Sequence, residues 1–283
     1  MSLAPFQTRE GVYCMLALDH RAALVNAFRK AGVEDVSRER MLETKARIMS
    51  IAGENASGVL LDHAAVSSRP AGAGLLVPLE AQGHEPLAGA RLNALEHSAG
   101  DAVAVGADGC KLLLWYRADH PESAVRQREL VARAAEDCHA SGLPLILEPL
   151  VYMLEGESDE AYVDAFGALV VAAAEELRDH CDLLKLQYPG DGAVALATEA
   201  AAPLDWALLG GSEVDGETFA EQLETACRAG AKGFIAGRAV WSSCLGLEPA
   251  EQERWLREEA RPLFDRLVSI ASAERLQSAT EGG

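Results

Sequence analysis

Short apolar segments alternate with longer amphipathic segments along almost the whole chain. The short segments, rich in Val, Ile and Leu, predict strands at 12–19, 57–62, 74–80, 109–115, 143–149, 181–189, 205–211 and 231–237. Apolar residues at helical spacing predict helices between them, including 92–105, 122–141, 160–180 and 249–272. Parallel strands need helical crossovers, and strands that are apolar on both faces are typical of a buried parallel sheet. Eight such units predict a single domain over residues 1–283, an α/β fold of the closed (β/α)8 TIM-barrel type, with a mobile tail from about residue 275.

Polar residues in or just after the predicted strands are the candidates for chemistry, because such barrels carry their active site at the C-terminal strand ends. These residues are Asp19, His20, Arg21, Asp62, His63, Glu80, Lys111, Arg117, Glu148, Lys185, Gln187, Gly210, Gly211, Ser212, Gly237 and Arg238. Lys111 and Lys185 are the most informative of them, since lysine is rarely buried in an apolar strand without a partner.

The lysines have two interpretations that spacing alone leaves open. A lysine in an apolar strand beside another cation loses its proton more easily, and a neutral amine can attack a carbonyl carbon to form a Schiff base. Glu148, on the neighbouring strand, could move protons for that chemistry. The alternative is a Lys–Glu ion pair that braces the barrel interior.

The glycine-rich ends of the seventh and eighth strands form a second group of candidates. Gly211, Ser212 and Gly237 leave backbone N–H groups available to a ligand, and Arg238 adds a bidentate donor. A phosphate site is frequent after these two strands in such barrels. The alternative is ordinary turn glycines beside a solvated arginine.

Composition and charge narrow the class of protein. A net charge of −19 disfavours nucleic acid or an anionic membrane as partner, so an anionic substrate would have to be held by a few local cations. No apolar run approaches the roughly 18 residues of a membrane span, and no signal peptide is recognisable.

Six cysteines without a CxxC pair favour free thiols in a reducing cytoplasm. Metal-ligand motifs, GxSxG, GxGxxG and a P-loop are all lacking, so we expect neither a metal nor a cofactor.

Eight segments, in order, resemble a known family over residues 11–247. They are ALDHR (17–21), LLDH (60–63), GLLVPLEAQGHE (74–85), RLNAL (91–95), KLLLWYRAD (111–119), LEPLVY (147–152), DLLKLQYP (182–189) and AGAKGFIAGRAVW (229–241). Together they resemble class I aldolases of the tagatose-1,6-bisphosphate type. The KLLLWYR and GRAVW stretches are especially similar to the sulfofructose-phosphate aldolase branch.

The resemblance implies a metal-independent aldolase that cleaves a ketose phosphate, or a sulfo-sugar phosphate, to dihydroxyacetone phosphate and an aldehyde. It implies that Lys185 forms the Schiff base and that Glu148 is the acid and base. Lys111 is implied in a charged supporting role, and Asp19 in contact with the substrate or intermediate.

The same resemblance implies the residues that bind the substrate. Arg238, with the region of Gly211, Ser212 and Gly237, would hold the phosphate of the ketose, and Arg21 an anion at the other end. Two related alternatives stay open. One is a transaldolase, or an aldolase for a non-phosphorylated keto substrate, that uses the same lysine; the other is a non-catalytic sugar-phosphate sensor.

Three positions depart from the family pattern, and they cluster at the candidate site. His20 stands where the family typically has Gln, and Gln187 where it has Glu. The seventh strand ends in GGSEV, apparently one residue longer than usual, and carries Glu213. Outer helices with apolar stretches such as 166–174 make a homo-oligomer plausible.

Overall fold

The computed structural model describes residues 1–211 and 214–281, with side chains described as far as residue 276. Eight parallel strands close into a barrel in which each strand pairs with the next and β8 pairs with β1. They are β1 Tyr13–Leu18, β2 Gly58–Leu61, β3 Gly74–Pro78, β4 Gly109–Trp115, β5 Leu145–Leu150, β6 Leu183–Leu186, β7 Trp206–Gly210 and β8 Gly233–Ala236. The predicted (β/α)8 barrel is therefore confirmed.

The helices surround the barrel, and side-chain caps mark where several of them begin. They are α1 Ala22–Lys30, α2 Arg38–Ile51, α3 Ala99–Ala104, α4 Pro121–Ala140, α5 Asp159–Leu177, α6 Val194–Ala201, α7 Gly216–Arg228, α8 Arg238–Trp241, α9 Pro249–Trp255 and α10 Arg261–Glu281, with a π-helical turn, Leu256–Ala260, before α10. Short 3-10 turns occupy Ala4–Phe6, Val66–Ser68, Arg178–His180 and Ser242–Cys244. Ser37 and Ser158 each accept a hydrogen bond from the backbone N–H three residues on, which fixes the starts of α2 and α5. Among the described residues, none of the helices has the length and apolar character needed to cross a membrane.

Two segments differ from the prediction. The helix predicted over 92–105 is limited to α3, and an antiparallel hairpin, Glu85–Leu87 with Ala90–Leu92, precedes it. Its turn places Ala88 and Gly89 at positive φ, as tight two-residue hairpins require. The last helix continues nine residues beyond the predicted end at 272, to 281.

The barrel interior is apolar at its N-terminal end and is sealed there by Phe6. Its side chain is fully buried among the inward-facing residues of the strands. The ring lies against Gly58, Gly74 and Gly109, where a Cβ would approach it to 2.9, 2.8 and 3.0 Å. Glycine at the first position of β2, β3 and β4 therefore makes room for this plug. The polar residues of the interior lie at the opposite, C-terminal end.

A buried ion pair fastens α2 to the end of β2. The Lys45 ammonium on α2 contacts Asp62 Oδ2, and both residues are buried. The other oxygen of Asp62 accepts a hydrogen bond from Ala64 N at 3.0 Å. Because the carboxylate is desolvated, it depends on Lys45 for its counter-charge.

We expect Lys45→Met to lower the free energy of unfolding by about 3 kcal/mol, because it leaves the Asp62 carboxylate buried without a partner. Urea unfolding followed by circular dichroism measures this. The matched control is Arg126→Met, which removes an exposed pair with Glu122 and should cost less than about 1 kcal/mol. Equal stability of Lys45→Met and the wild type would show that the pair does not hold α2.

Candidate active site

The alternation of side chains along each strand brings the site together. In β1, Tyr13, Met15 and Ala17 face the interior, and Asp19 continues this series just beyond the strand. In β5 and β6, Glu148 and Lys185 stand two residues after inward-facing apolar residues. With Lys111 of β4, four side chains therefore meet at the C-terminal mouth.

One carboxylate oxygen lies between two lysines. Lys185 Nζ donates a hydrogen bond to Glu148 Oε2 at 2.9 Å, and Lys111 Nζ lies 3.2 Å from the same oxygen. All three residues are buried, with relative exposures of 5% for Lys185, 6% for Glu148 and 2% for Lys111. Interactions between charges are stronger at such a buried site than in water.

Lys111 has two further acidic partners. Its ammonium donates to Asp19 Oδ2 at 3.0 Å and to Glu80 Oε1 at 2.7 Å. The second oxygen of Glu80 accepts from Leu113 N at 3.1 Å, which ties the carboxylate to β4. Glu80 stands among the strand-end residues of the sequence analysis without a role. Its position directly after the third strand was the feature that could have indicated a place in the site.

The charged groups of this cluster shift one another's pKa values. Burial by itself would lower the pKa of Lys111, but its three carboxylates reverse this and hold the pKa well above its ordinary value. Burial would raise the pKa of Glu148 and of Asp19, but the ammonium of Lys111, with that of Lys185, lowers both. For Glu80, burial outweighs Lys111 and the pKa is raised. The raised pKa favours the charged form of Lys111, and Glu80 is the one of its three carboxylate partners whose pKa is raised.

His20 lies at the side of the mouth formed by β1 and β8. Burial lowers the pKa of His20 to about 4, with Arg238 adding to this effect and Asp19 opposing it. Its ring meets Trp241 edge-on, with 5.4 Å between ring centroids. Gly237 lies beside the ring, since a Cβ at this position would be 3.4 Å from the imidazole, an ordinary van der Waals contact. Near neutral pH the ring is therefore uncharged.

A cavity of about 370 Å³ opens at this mouth, a size suited to a small metabolite. The strand-end candidates that line it are Asp19, His20, Arg21, Glu80, Lys111, Glu148, Lys185, Gly210, Gly211, Gly237 and Arg238. Ser212, and Glu213 beside it, lie outside the described residues. Arg21 is at the rim, where it forms an ion pair with Glu96 and donates to Glu80 O. The lining also contains Gln82, Asn93 and Trp115, which sequence reasoning missed.

Three other strand-end candidates are not among the described residues that line the cavity. Arg117 is buried and pairs with Asp119 and Glu157, which fixes the loop after β5. Gln187 accepts a hydrogen bond from Val151 N at 2.7 Å and so braces the same loop. His63 stacks on His97, with 3.7 Å between ring centroids, and is not among the described residues that line the cavity.

Solved structures with this fold include two aldolases. An archaeal fructose 1,6-bisphosphate aldolase aligns with a TM-score of 0.66 and 21% identity, over 95% of this chain and 96% of its own. Another structure of an archaeal fructose-1,6-bisphosphate aldolase, with the catalytic lysine covalently bound to the carbinolamine intermediate of the substrate, aligns with a TM-score of 0.64 and 20% identity, over 92% of this chain and 96% of its own. At these identities the likeness concerns the fold.

Sequence comparison identifies the family of the chain. The tagatose 1,6-diphosphate aldolase of Staphylococcus aureus is 29% identical over 307 residues, which cover 95% of this chain and 94% of that protein. The model of the DeoC/LacD family of aldolases matches residues 13–243, from the first residue of β1 to beyond α8. We conclude that this chain belongs to the DeoC/LacD aldolase family and is a lyase.

Proposed function

We propose that the protein is a class I aldolase that cleaves a ketose phosphate to dihydroxyacetone phosphate and an aldehyde through a Schiff base on Lys185. The observation that carries the proposal is the contact of Lys185 Nζ with Glu148 Oε2 at 2.9 Å inside the cavity. The relatives support it, since they include a tagatose 1,6-diphosphate aldolase and an aldolase with its lysine bound to an intermediate.

The first step needs Lys185 as a neutral amine. Its proton can pass to Glu148 across their hydrogen bond, while Lys111 remains charged and stabilises the site. The free amine adds to the substrate ketone to give a carbinolamine. Loss of water then leaves an iminium, for which Glu148 supplies the proton to the departing hydroxyl.

The carbon–carbon bond breaks in the second step. The C4 hydroxyl loses its proton to Glu148, directly or through a water molecule, and the C3–C4 bonding electrons move into the iminium. The aldehyde leaves and an enamine remains on Lys185. Protonation of the enamine at C3 and hydrolysis of the resulting iminium release dihydroxyacetone phosphate and restore the amine.

The phosphate of the ketose would be held at the ends of β7 and β8. Gly211, Gly237 and Arg238 line the cavity there. Arginine matches a phosphate with two parallel hydrogen bonds, and glycine lets the backbone approach a ligand closely. Asp19, which lines the cavity and pairs with Lys111, would contact the substrate or the intermediate.

The family likeness leaves three finer choices for this site. The substrate could be a bisphosphate of tagatose or fructose type, or a 6-deoxy-6-sulfofructose 1-phosphate-like sugar. A transaldolase, or an aldolase for a non-phosphorylated keto substrate, would use the same lysine. A sensor would be stabilised thermally by sugar phosphates without turning them over.

Borohydride reduction in the presence of dihydroxyacetone phosphate should attach the reduced three-carbon unit to Lys185, because the iminium is the species that borohydride traps. Mass spectrometry of the digested protein locates the adduct. Lys185→Ala should form none and lose cleavage activity, whereas the exposed control Lys30→Ala should behave as the wild type. Full activity in Lys185→Ala would refute the Schiff-base mechanism.

Glu148→Gln should lower kcat for cleavage by about 100-fold or more, since the amide cannot accept the proton of the C4 hydroxyl. Steady-state kinetics measures this, and circular dichroism checks the fold. Glu122→Gln, on the exposed face of α4, is the matched control. If kcat of Glu148→Gln stays within a few-fold of the wild type, another group moves the proton.

Arg238→Ala should raise KM for a phosphorylated ketose by about 10- to 100-fold, because a charge-assisted hydrogen-bond pair to the phosphate is lost. Turnover of a non-phosphorylated ketose should not change. Arg238→Lys should lie between, since it keeps the charge but loses the fork geometry. A wild type that prefers the non-phosphorylated ketose would favour the alternative substrate class.

A further inference from the structure

We infer that Glu80 is a positioning residue for the reaction: its carboxylate holds the Lys111 ammonium beside Glu148 and so controls the proton exchange between Glu148 and the Schiff-base lysine. This inference rests on the proposed function and adds a residue to it. Glu80 lines the cavity, but each oxygen of its carboxylate already accepts a hydrogen bond from β4. Its influence on the reaction would therefore pass through Lys111.

The main chain of Glu80 is fixed from three sides. Leu79 N donates a hydrogen bond to Lys111 O at 2.9 Å, which joins the residue just before Glu80 to β4. Glu80 itself forms an antiparallel bridge with Leu95, on the segment that follows the hairpin. Its carbonyl oxygen accepts a hydrogen bond from the Arg21 guanidinium at 2.9 Å. The barrel and the rim therefore set the position of Glu80 without any help from the Lys111 side chain.

The carboxylate of Glu80 bridges two donors of the same strand. Oε1 accepts a hydrogen bond from Lys111 Nζ at 2.7 Å, and Oε2 accepts one from Leu113 N at 3.1 Å. Glu80 is buried, so water does not compete for either bond. The backbone N–H of Leu113 is fixed within β4 and orients the carboxylate, whereas the lysine side chain is flexible. Glu80 thus positions Lys111, and not the reverse.

The Lys111 ammonium has one carboxylate for each of its three N–H donors within the described part of the chain. Glu80 Oε1 is the nearest acceptor at 2.7 Å, followed by Asp19 Oδ2 at 3.0 Å and Glu148 Oε2 at 3.2 Å. Glu80 therefore keeps the ammonium from closing on Glu148 Oε2, which also accepts a hydrogen bond from Lys185 at 2.9 Å. Without Glu80, Lys111 would move toward that oxygen and compete with Lys185 for it.

The charge of Glu80 also bears on the basicity of Glu148. Burial alone would raise the pKa of Glu148, but the ammonium groups of Lys111 and Lys185 lower it. Loss of the negative charge of Glu80 leaves the cluster more positive, which should lower the pKa of Glu148 further. Glu148 would then be a weaker base toward Lys185, and the amine would be freed more slowly.

The test compares Glu80→Gln, which keeps the shape of the side chain, with Glu80→Asp, which keeps its charge. The measurement is the rate of Schiff-base formation with dihydroxyacetone phosphate, quenched by borohydride at timed intervals across a range of pH. Glu80→Gln should lower the limiting rate by about 10- to 100-fold and leave the half-saturating concentration within about threefold, because the contacts with the ligand are kept. Its acidic limb should move to lower pH by about one unit. Glu80→Asp should keep the wild-type acidic limb and recover part of the rate.

A double-variant cycle examines whether Glu80 acts through Lys111. In a Lys111→Met background, Glu80→Gln should change the limiting rate by less than about threefold, because its partner is already gone. Circular dichroism checks the fold of each variant. If Glu80→Gln alone does not fold, Glu80→Asp decides the question: a carboxylate drawn back from Lys111 should slow the reaction, and a full wild-type rate would contradict the inference. Glu136→Gln, exposed on α4, is the matched control.

The outcomes separate this inference from the proposed function. A wild type without a trapped adduct refutes the Schiff-base aldolase and, with it, the role of Glu80. If the adduct forms and Glu80→Gln matches the wild type in rate and pH profile, Glu80 does not position Lys111. If both variants are equally slow and neither shifts the acidic limb, Glu80 only braces the barrel, and the inference is overturned while the aldolase mechanism stands.

Discussion

The Glu148 carboxylate, placed between the ammonium groups of Lys185 and Lys111, is the interaction on which the rest of the site depends. Two buried cations this close would repel each other strongly without it, and an isolated carboxylate would not remain ionised there. Asp19 and Glu80 complete the balance on the side of Lys111. Three carboxylates therefore fix Lys111 as a cation, while Lys185 has Glu148 alone as its ion-pair partner among the described residues.

The barrel supplies the geometry that this cluster needs. The charged groups come from β1, from the segment after β3, and from β4, β5 and β6, so no local stretch of chain can assemble them. Strand pairing sets the height of each side chain, and the Phe6 plug with its three glycines keeps the lower interior apolar. Positioning by rigid strands costs no reorganisation during a reaction, which is why such sites suit catalysis.

Much of this was predictable from the sequence. Eight apolar segments and the charged residues within them gave the barrel, and Lys111, Glu148 and Lys185 were visible because charges in buried strands are rare. The contact of Lys111 with Asp19 was not predictable, because it joins β4 to the end of β1 across the closed barrel. The hairpin at 85–92 was missed because strands of three residues are too short to show a period.

The Phe6 seal has a consequence for the timing of the reaction. Because the lower end of the barrel is closed, water reaches Lys185 through the same mouth that admits the substrate. Under the proposed mechanism, an aldehyde still in the cavity stands in that path. Hydrolysis of the lysine adduct would then wait for departure of the aldehyde, so a blind-ended barrel enforces an ordered release in which the covalently held fragment leaves last.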